Sequence, residues 1–168
     1  RSAQHLHFPD LMAHGQRPTP VPVVPDEIAV LQYTGGTTGV PKAAMLSHAN
    51  IVANTDAMLV HVGGETPDQD RVLGVLPLFH VFALTNVLTF STLVGAEMIL
   101  LPRYDIDSTM KAILRRKPSS LPAVPTIYGA IAKKAEARRA DLSFVKLCIS
   151  GGAPLPQEIG AAFERVTG

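Results

Sequence analysis

Apolar residues along the chain fall into short, nearly unbroken runs at 28–33, 71–76, 97–101, 120–124 and 144–150. Runs of this length bounded by Gly, Pro and polar residues predict strands. The segments between and after them, at about 47–62, 81–93, 107–116, 126–138 and 156–166, carry helix-compatible patterns. Strands that are apolar throughout, rather than alternating, are buried on both faces. Five such strands alternating with five helices predict an α/β fold with a mainly parallel sheet and helices on both faces. Ahead of this unit lies a lead-in, residues 1–27, in which Pro9, Pro18, Pro20, Pro22 and Pro25 predict extended chain and no helix. The regular α/β unit then spans residues 28–168. In parallel sheets ligands sit beyond the carboxyl ends of the strands, so the loops after the first and fifth predicted strands draw notice.

The pattern is ambiguous at residues 81–101, which carry Glu97 as their sole charge and approach the length of a membrane span. Thr85, Asn86, Thr89, Ser91 and Thr92 dilute the stretch, and Gly95-Ala96 divides it, so it reads as a core helix followed by a buried strand. Hydrophobic residues make up 46% of the 168 and charged residues 17%, which is apolar for one domain and implies surface that further chain covers. The sequence opens on Arg1 and closes on Gly168 straight after a predicted helix, and the expectation is a piece of a longer polypeptide. A net charge of +1, with no interleaving of basic and aromatic residues, argues against a nucleic-acid partner. The single cysteine, Cys148, excludes an internal disulfide and a cysteine-based metal site, and its apolar run predicts a buried strand thiol.

Three stretches carry candidate chemistry. The first, "YTGGTTGVPKAAMLSH" from Tyr33, places glycine and threonine together in what reads as a strand-to-helix turn. Exposed backbone N–H groups and threonine hydroxyls there suit a polyphosphate, and Lys42 adds a positive charge. A plain connector is the competing reading. The loop is not a Walker A motif, because Lys42 is preceded by Pro41 and followed by Ala43, and no G-x-G-x-x-G can be read from Gly35, Gly36 and Gly39. The second stretch is "PLFHVF", 77–82. On its residues alone, His80 beside Phe79 and Phe82 reads as a packed or hydrogen-bonded side chain. The third, "SGGAPL", 150–155, offers a backbone poor in side chains that a flat purine can approach, or an ordinary turn with Pro156 at the helix start. His5 and His7 form an H-x-H pair without a third ligand, His14, His48 and His61 form no constellation, and no metal-binding residue is assigned. Asp107 is the expected cap of its helix.

"YTGGTTGVPK", followed in order by "PLFHVF" and "SGGAPL", resembles the motifs of the adenylate-forming superfamily of acyl-CoA synthetases, peptide-synthetase adenylation domains and firefly-type luciferases. The chain looks most like the large N-terminal domain of bacterial long-chain fatty acid–CoA ligases. The resemblance covers nearly all of the chain but only a minority of a family member's length. It departs at Ala43, where the family usually has glycine and where a methyl is expected to crowd the turn. It implies an enzyme that uses ATP and Mg²⁺ to convert a fatty acid into an acyl-adenylate and then passes the acyl group to coenzyme A. Under it Thr34, Gly35, Gly36, Thr37, Thr38, Gly39 and Lys42 would hold the ATP phosphates. Gly151, Gly152, Ala153 and Pro154 would lie against adenine, His80 would orient the carboxylate or gate coenzyme A entry, and Phe82 would line the acyl pocket. Lys42 and His80 are thus the candidate catalytic residues. The family's Tyr-Gly-x-Thr-Glu segment with its magnesium-binding glutamate, its ribose-binding aspartate and its small C-terminal domain do not occur in these 168 residues. The 28–168 unit is therefore expected to be inactive alone and to need the remainder of its polypeptide. The resemblance also implies a cytoplasmic enzyme with peripheral contact at the inner face of the membrane. A peptide-synthetase adenylation domain, or a nucleotide-binding module without catalysis, stays open as an alternative.

Overall fold

The computed structural model describes residues 8–13, 15, 17, 19–34, 41–63 and 70–168. Its centre is a parallel sheet of β3 (Arg71–Gly74), β4 (Glu97–Leu100), β5 (Ser120–Ala123) and β6 (Leu147–Ser150), in the order β4-β3-β5-β6. Adjacent residues of β3 point to opposite faces, and each face has its own cover. Leu73 joins Ile99, Leu121 and Ala123 against α5 (Ile106–Arg116), α6 (Pro125–Arg138) and α7 (Gln157–Thr167), supplying Met110, Ile113, Ile131 and Phe163 among others. Val72 faces the other way, onto Ala83 and Val87. The expectation of a mainly parallel α/β sheet covered on both faces holds for this half of the molecule.

Val87 belongs to a helical rod of unusual build: α3 (Val81–Ala83), a π-helical segment (Leu84–Thr89) and α4 (Phe90–Val94), which ends on Gly95 at φ 70°. Its sequence explains the widened turn. Asn86 Nδ2 donates to the Phe82 carbonyl at 2.9 Å, Thr89 Oγ1 to Thr85 at 3.3 Å and Thr92 Oγ1 to Leu88 at 2.8 Å. Such bonds back to the i−4 carbonyl compete with the ladder and loosen it. α2 (His48–His61) packs on this segment through a polar seam, with the Thr55 and Thr89 hydroxyls 2.8 Å apart and Thr85 Oγ1 donating to Asn54 Oδ1 at 3.0 Å. No described helix is long and apolar enough to cross a membrane.

The first strand is not part of the parallel sheet. β1 (Ile28–Thr34) pairs antiparallel with β2 (Lys42–Ser47), from Ile28 opposite Ser47 to Thr34 opposite Lys42. The glycine loop therefore closes a hairpin and is not a strand-to-helix turn. Ala43 lies within β2 opposite Tyr33, so its methyl stands on a strand. The lead-in is corrected as well, since α1 (Phe8–Ala13) is helical. Pro9 sits in its first turn, where the missing N–H costs nothing.

Charges play a local part. Glu97, opposite Arg71 in the β3–β4 register, is flanked by Arg71 and Arg116. The cap of α5 is Asp105, whose carboxylate accepts from Ser108 N at 2.8 Å; Asp107 instead reaches Lys134 Nζ at 2.8 Å and an Arg138 nitrogen at 3.1 Å on α6. Exposed pairs of this kind contribute at most about 1 kcal/mol each, so the apolar core carries the stability. Within it the Tyr128 hydroxyl lies between the carbonyls of Leu121 and Ile149 and ties α6 to β5 and β6.

Candidate functional site

β4 lies on one side of β3 and β5 on the other, so the chain reverses its winding between β3 and β5. Ligands bind at the carboxyl ends of strands beside such a reversal. The loop after β3 carries Phe79, His80 and, at the start of the helical rod, Phe82. The loop after β6 carries Gly151 to Pro154. β5 lies between the two strands, yet the loops meet above it. A β-carbon built on Gly151 would fall 2.8 Å from Phe82 Cε2 and 2.9 Å from Cζ. Only a glycine admits the Phe82 ring this closely. Gly152 adopts φ +78°, with its missing side chain turned toward Val124 at the end of β5, and Gly151 N donates to the Ala123 carbonyl at 3.2 Å. The Cβ side of Gly151 is thus taken by Phe82, while Gly152, Ala153 and Pro154 stay exposed.

His80 is the N-cap of α3: its Nδ1 accepts from Phe82 N at 3.2 Å, its own N–H donates to Pro77 at 3.0 Å, and its carbonyl accepts from Leu84 N at 2.9 Å. With Nδ1 an acceptor, the neutral ring carries its proton on Nε2. That donor is on an exposed residue. Phe82 is half-buried, and besides meeting Gly151 it lines an open groove of about 560 Å³ with Ala57, Met58 and His61 of α2 and with Val81, Thr85 and Asn86.

Thr34 ends β1 and Lys42 opens β2 directly opposite it, so the two stand at the neck of the hairpin. Gly35, Gly36, Thr37, Thr38 and Gly39 lie outside the described residues, as do His5, His7 and His14. The sequence reading missed two contributors. Gln32 Nε2 donates to the Phe79 carbonyl at 3.2 Å and links the hairpin to the His80 turn, and Asn86 holds Phe82 from below. A glutamine in an apolar strand and an asparagine in an apolar helix were the available signals. Cys148 is corrected: it lies exposed on β6, at the sheet edge.

A parallel α/β sheet whose strand order reverses, with an exposed glycine loop and an imidazole turn meeting at the strand ends, belongs to the class of α/β proteins that bind their ligands at such a reversal. The chain belongs to the AMP-binding enzyme family, which matches residues 2–168. It is 48% identical over 142 residues to the long-chain-fatty-acid–CoA ligase of Bacillus subtilis, covering 84% of this chain and 25% of that one. To 4-coumarate–CoA ligase 1 of Arabidopsis thaliana it is 38% identical over 144 residues, covering 83% and 25%. Its fold matches that of the O-succinylbenzoate coenzyme A synthetase of Bacillus subtilis solved with ATP and magnesium, at a TM-score of 0.79 and 24% identity over 94% of this chain and 32% of that one. The chain spans about a quarter of the length of the curated relatives it matches.

Proposed function

We propose that the full-length polypeptide is an ATP-dependent long-chain fatty acid–CoA ligase, and that residues 28–168 are the part of its large domain that brings the acid to the nucleotide. The observation that carries this reading is the Phe82–Gly151 contact. It joins a groove with Ala57, Met58, Val81 and Phe82 on its apolar side, and Asn54, His61, Thr85 and Asn86 on its polar side, to an exposed glycine loop at the strand ends, as a reaction between an acyl carboxylate and a nucleotide requires. Family membership and the 48% identity to a fatty-acid ligase support it.

The reaction has two steps. The carboxylate attacks the α-phosphate of ATP and expels pyrophosphate; the coenzyme A thiol then attacks the acyl carbon and expels AMP. Bringing two anions together and stabilising the charge that builds on pyrophosphate are the main physical demands. Lys42, at the hairpin neck with Thr34, supplies positive charge beside the phosphates, and residues 35–39 supply loop N–H groups. The backbone of Gly152, Ala153 and Pro154 forms the seat for adenine. The Nε2–H of His80 donates to the carboxylate and orients it, and on the second step the same exposed turn borders the path of coenzyme A. Phe82, Met58 and Ala57 receive the acyl chain in the groove. Among the described residues no three metal-ligating side chains cluster. Magnesium, when bound, would neutralise phosphate charge from a Tyr-Gly-x-Thr-Glu segment that these 168 residues do not contain. Peripheral contact with the inner face of a membrane follows only from the long-chain substrate.

ATP–pyrophosphate exchange by the full-length polypeptide, run with acids from acetate to palmitate and with 4-coumarate, tests the reading. Long-chain acids are expected to drive exchange and the acyl group to end on coenzyme A. Exchange driven by amino acids, with the product held on a carrier-protein thiol, would replace it with a peptide-synthetase assignment.

A further inference from the structure

At its tip the turn that carries His80 has little apolar packing, because Phe79 is 82% exposed and His80 is exposed too, while Leu78 beside them packs on the Val72, Ala83 and Val87 cluster. Two side-chain amides hold it as well, Gln32 from 47 residues away in β1 and Asn86 from the next turn of the helical rod. Gln32, near the end of β1, donates from Nε2 to the Phe79 carbonyl at 3.2 Å, with the Tyr33 carbonyl 3.4 Å from the same nitrogen. Asn86, 8% exposed within the π-helical segment, donates from Nδ2 to the Phe82 carbonyl at 2.9 Å. The two carbonyls bracket His80. We propose that Gln32 and Asn86 are positioning residues that clamp the His80 turn from opposite ends and fix its imidazole relative to the hairpin neck at Thr34 and Lys42.

The geometry divides their tasks. Gln32 lies two residues before Thr34, so its bond sets how far the phosphate-side hairpin stands from the imidazole. Asn86 completes the carbonyl of Phe82, whose N–H is already bonded to His80 Nδ1, and so holds both the cap and the ring that meets Gly151. Gln32 lies outside the acyl groove, and Asn86, which lines it, spends an Nδ2 hydrogen on the Phe82 carbonyl. Both act through Phe79, His80 and Phe82, and their kinetic consequence rests on the ligase reading.

Gln32→Leu removes the donor at a half-buried position, Gln32→Glu keeps the length but sets a carboxylate against a carbonyl, and Asn86→Leu removes the second donor. In the full-length polypeptide, hydrogen exchange at the amides of His80, Phe82 and Leu84 is expected to rise about 10-fold in each variant, with β3 unchanged. The KM for the acid is expected to rise about 10-fold or more while that for ATP stays within about 2-fold. Unchanged exchange at those three amides in folded variants overturns the clamp. So does a KM for ATP that rises in step with that for the acid, because that pattern marks general loosening. Faster exchange in a protein that shows no acid-dependent activity even as wild type upholds the clamp and removes the ligase reading instead.

Discussion

Replacing Gly151 with alanine is expected to lower acid-dependent ATP–pyrophosphate exchange by about 100-fold while leaving the protein folded. The added methyl would stand 2.8 Å from one carbon of the Phe82 ring and 3.2 Å from another, closer than such contacts allow. Something must shift, and the backbone of Gly151 is held by its bond to Ala123 at the end of β5. The ring is the softer partner, because it borders an open groove. Displacement by even a fraction of an ångström drives it into the space the acyl chain occupies and strains the adjoining His80 cap. The loss therefore falls on the acid and grows with its length. Shortening the ring in the double variant Gly151→Ala/Phe82→Leu removes the overlap and restores much of the activity. A Gly151→Ala enzyme with wild-type exchange on long acids would show that the contact has no part in catalysis.

The second large effect is expected at Lys42, where alanine should reduce exchange by about 10²- to 10³-fold with every acid alike. Lys42 opens β2 opposite Thr34, so its charge is carried on a paired strand and not on the loop. A cation rooted on a paired strand stays at the neck of the loop, and its flexible stem lets the ammonium follow charge that develops on the leaving pyrophosphate. Arginine at this position keeps the charge but spreads it over a planar fork, so Lys42→Arg is expected to recover only part of the rate. The contrast with Gly151→Ala is diagnostic: one variant discriminates among acids and the other does not. A Lys42→Ala loss that depends on acyl length would place the residue at the acid and contradict its assignment to phosphate.

Much of the parallel half was legible because its strands are short apolar runs punctuated by Gly and Pro, and burial on both faces leaves that mark in sequence. Residues 71–74, 97–100 and 120–123 lie inside the predicted runs. The hairpin was not legible. "KAAMLS" has no β-branched residue and borders a helix cap at Ser47, so it reads as the approach to a helix; only pairing with β1 makes it a strand. The π-helical turn was hidden for a related reason. Asn86, Thr89 and Thr92 were visible as polar dilution of an apolar stretch, but their bonds to the carbonyls four residues before leave no mark in the sequence. At α5 two aspartates competed for the cap, and the one two residues earlier won because its carboxylate reaches Ser108 N. Phe144 and Val145 extend the apolar run that predicts the fifth strand, whereas β6 begins only at Leu147 and Val145 enters the core from the loop before it. At the site the motifs named His80, Phe82 and Gly151 separately. What no motif contains is that Phe82 rests on Gly151 and that Gln32 and Asn86 hold the turn between them.

The most direct test of the central claim, that the two loops meet to join an acyl groove to a nucleotide seat, is calorimetric binding of acyl-sulfamoyl adenosines to the full-length polypeptide. These stable mimics of the acyl-adenylate occupy both parts at once. A palmitoyl analogue is expected to bind at least about 100-fold more tightly than the acetyl analogue, since each buried methylene adds to affinity, with Phe82→Ala narrowing the gap and leaving acetyl binding nearly unchanged. Equal affinity for both analogues, unaltered by Phe82→Ala, would contradict the claim and leave the Phe82–Gly151 contact as ordinary packing.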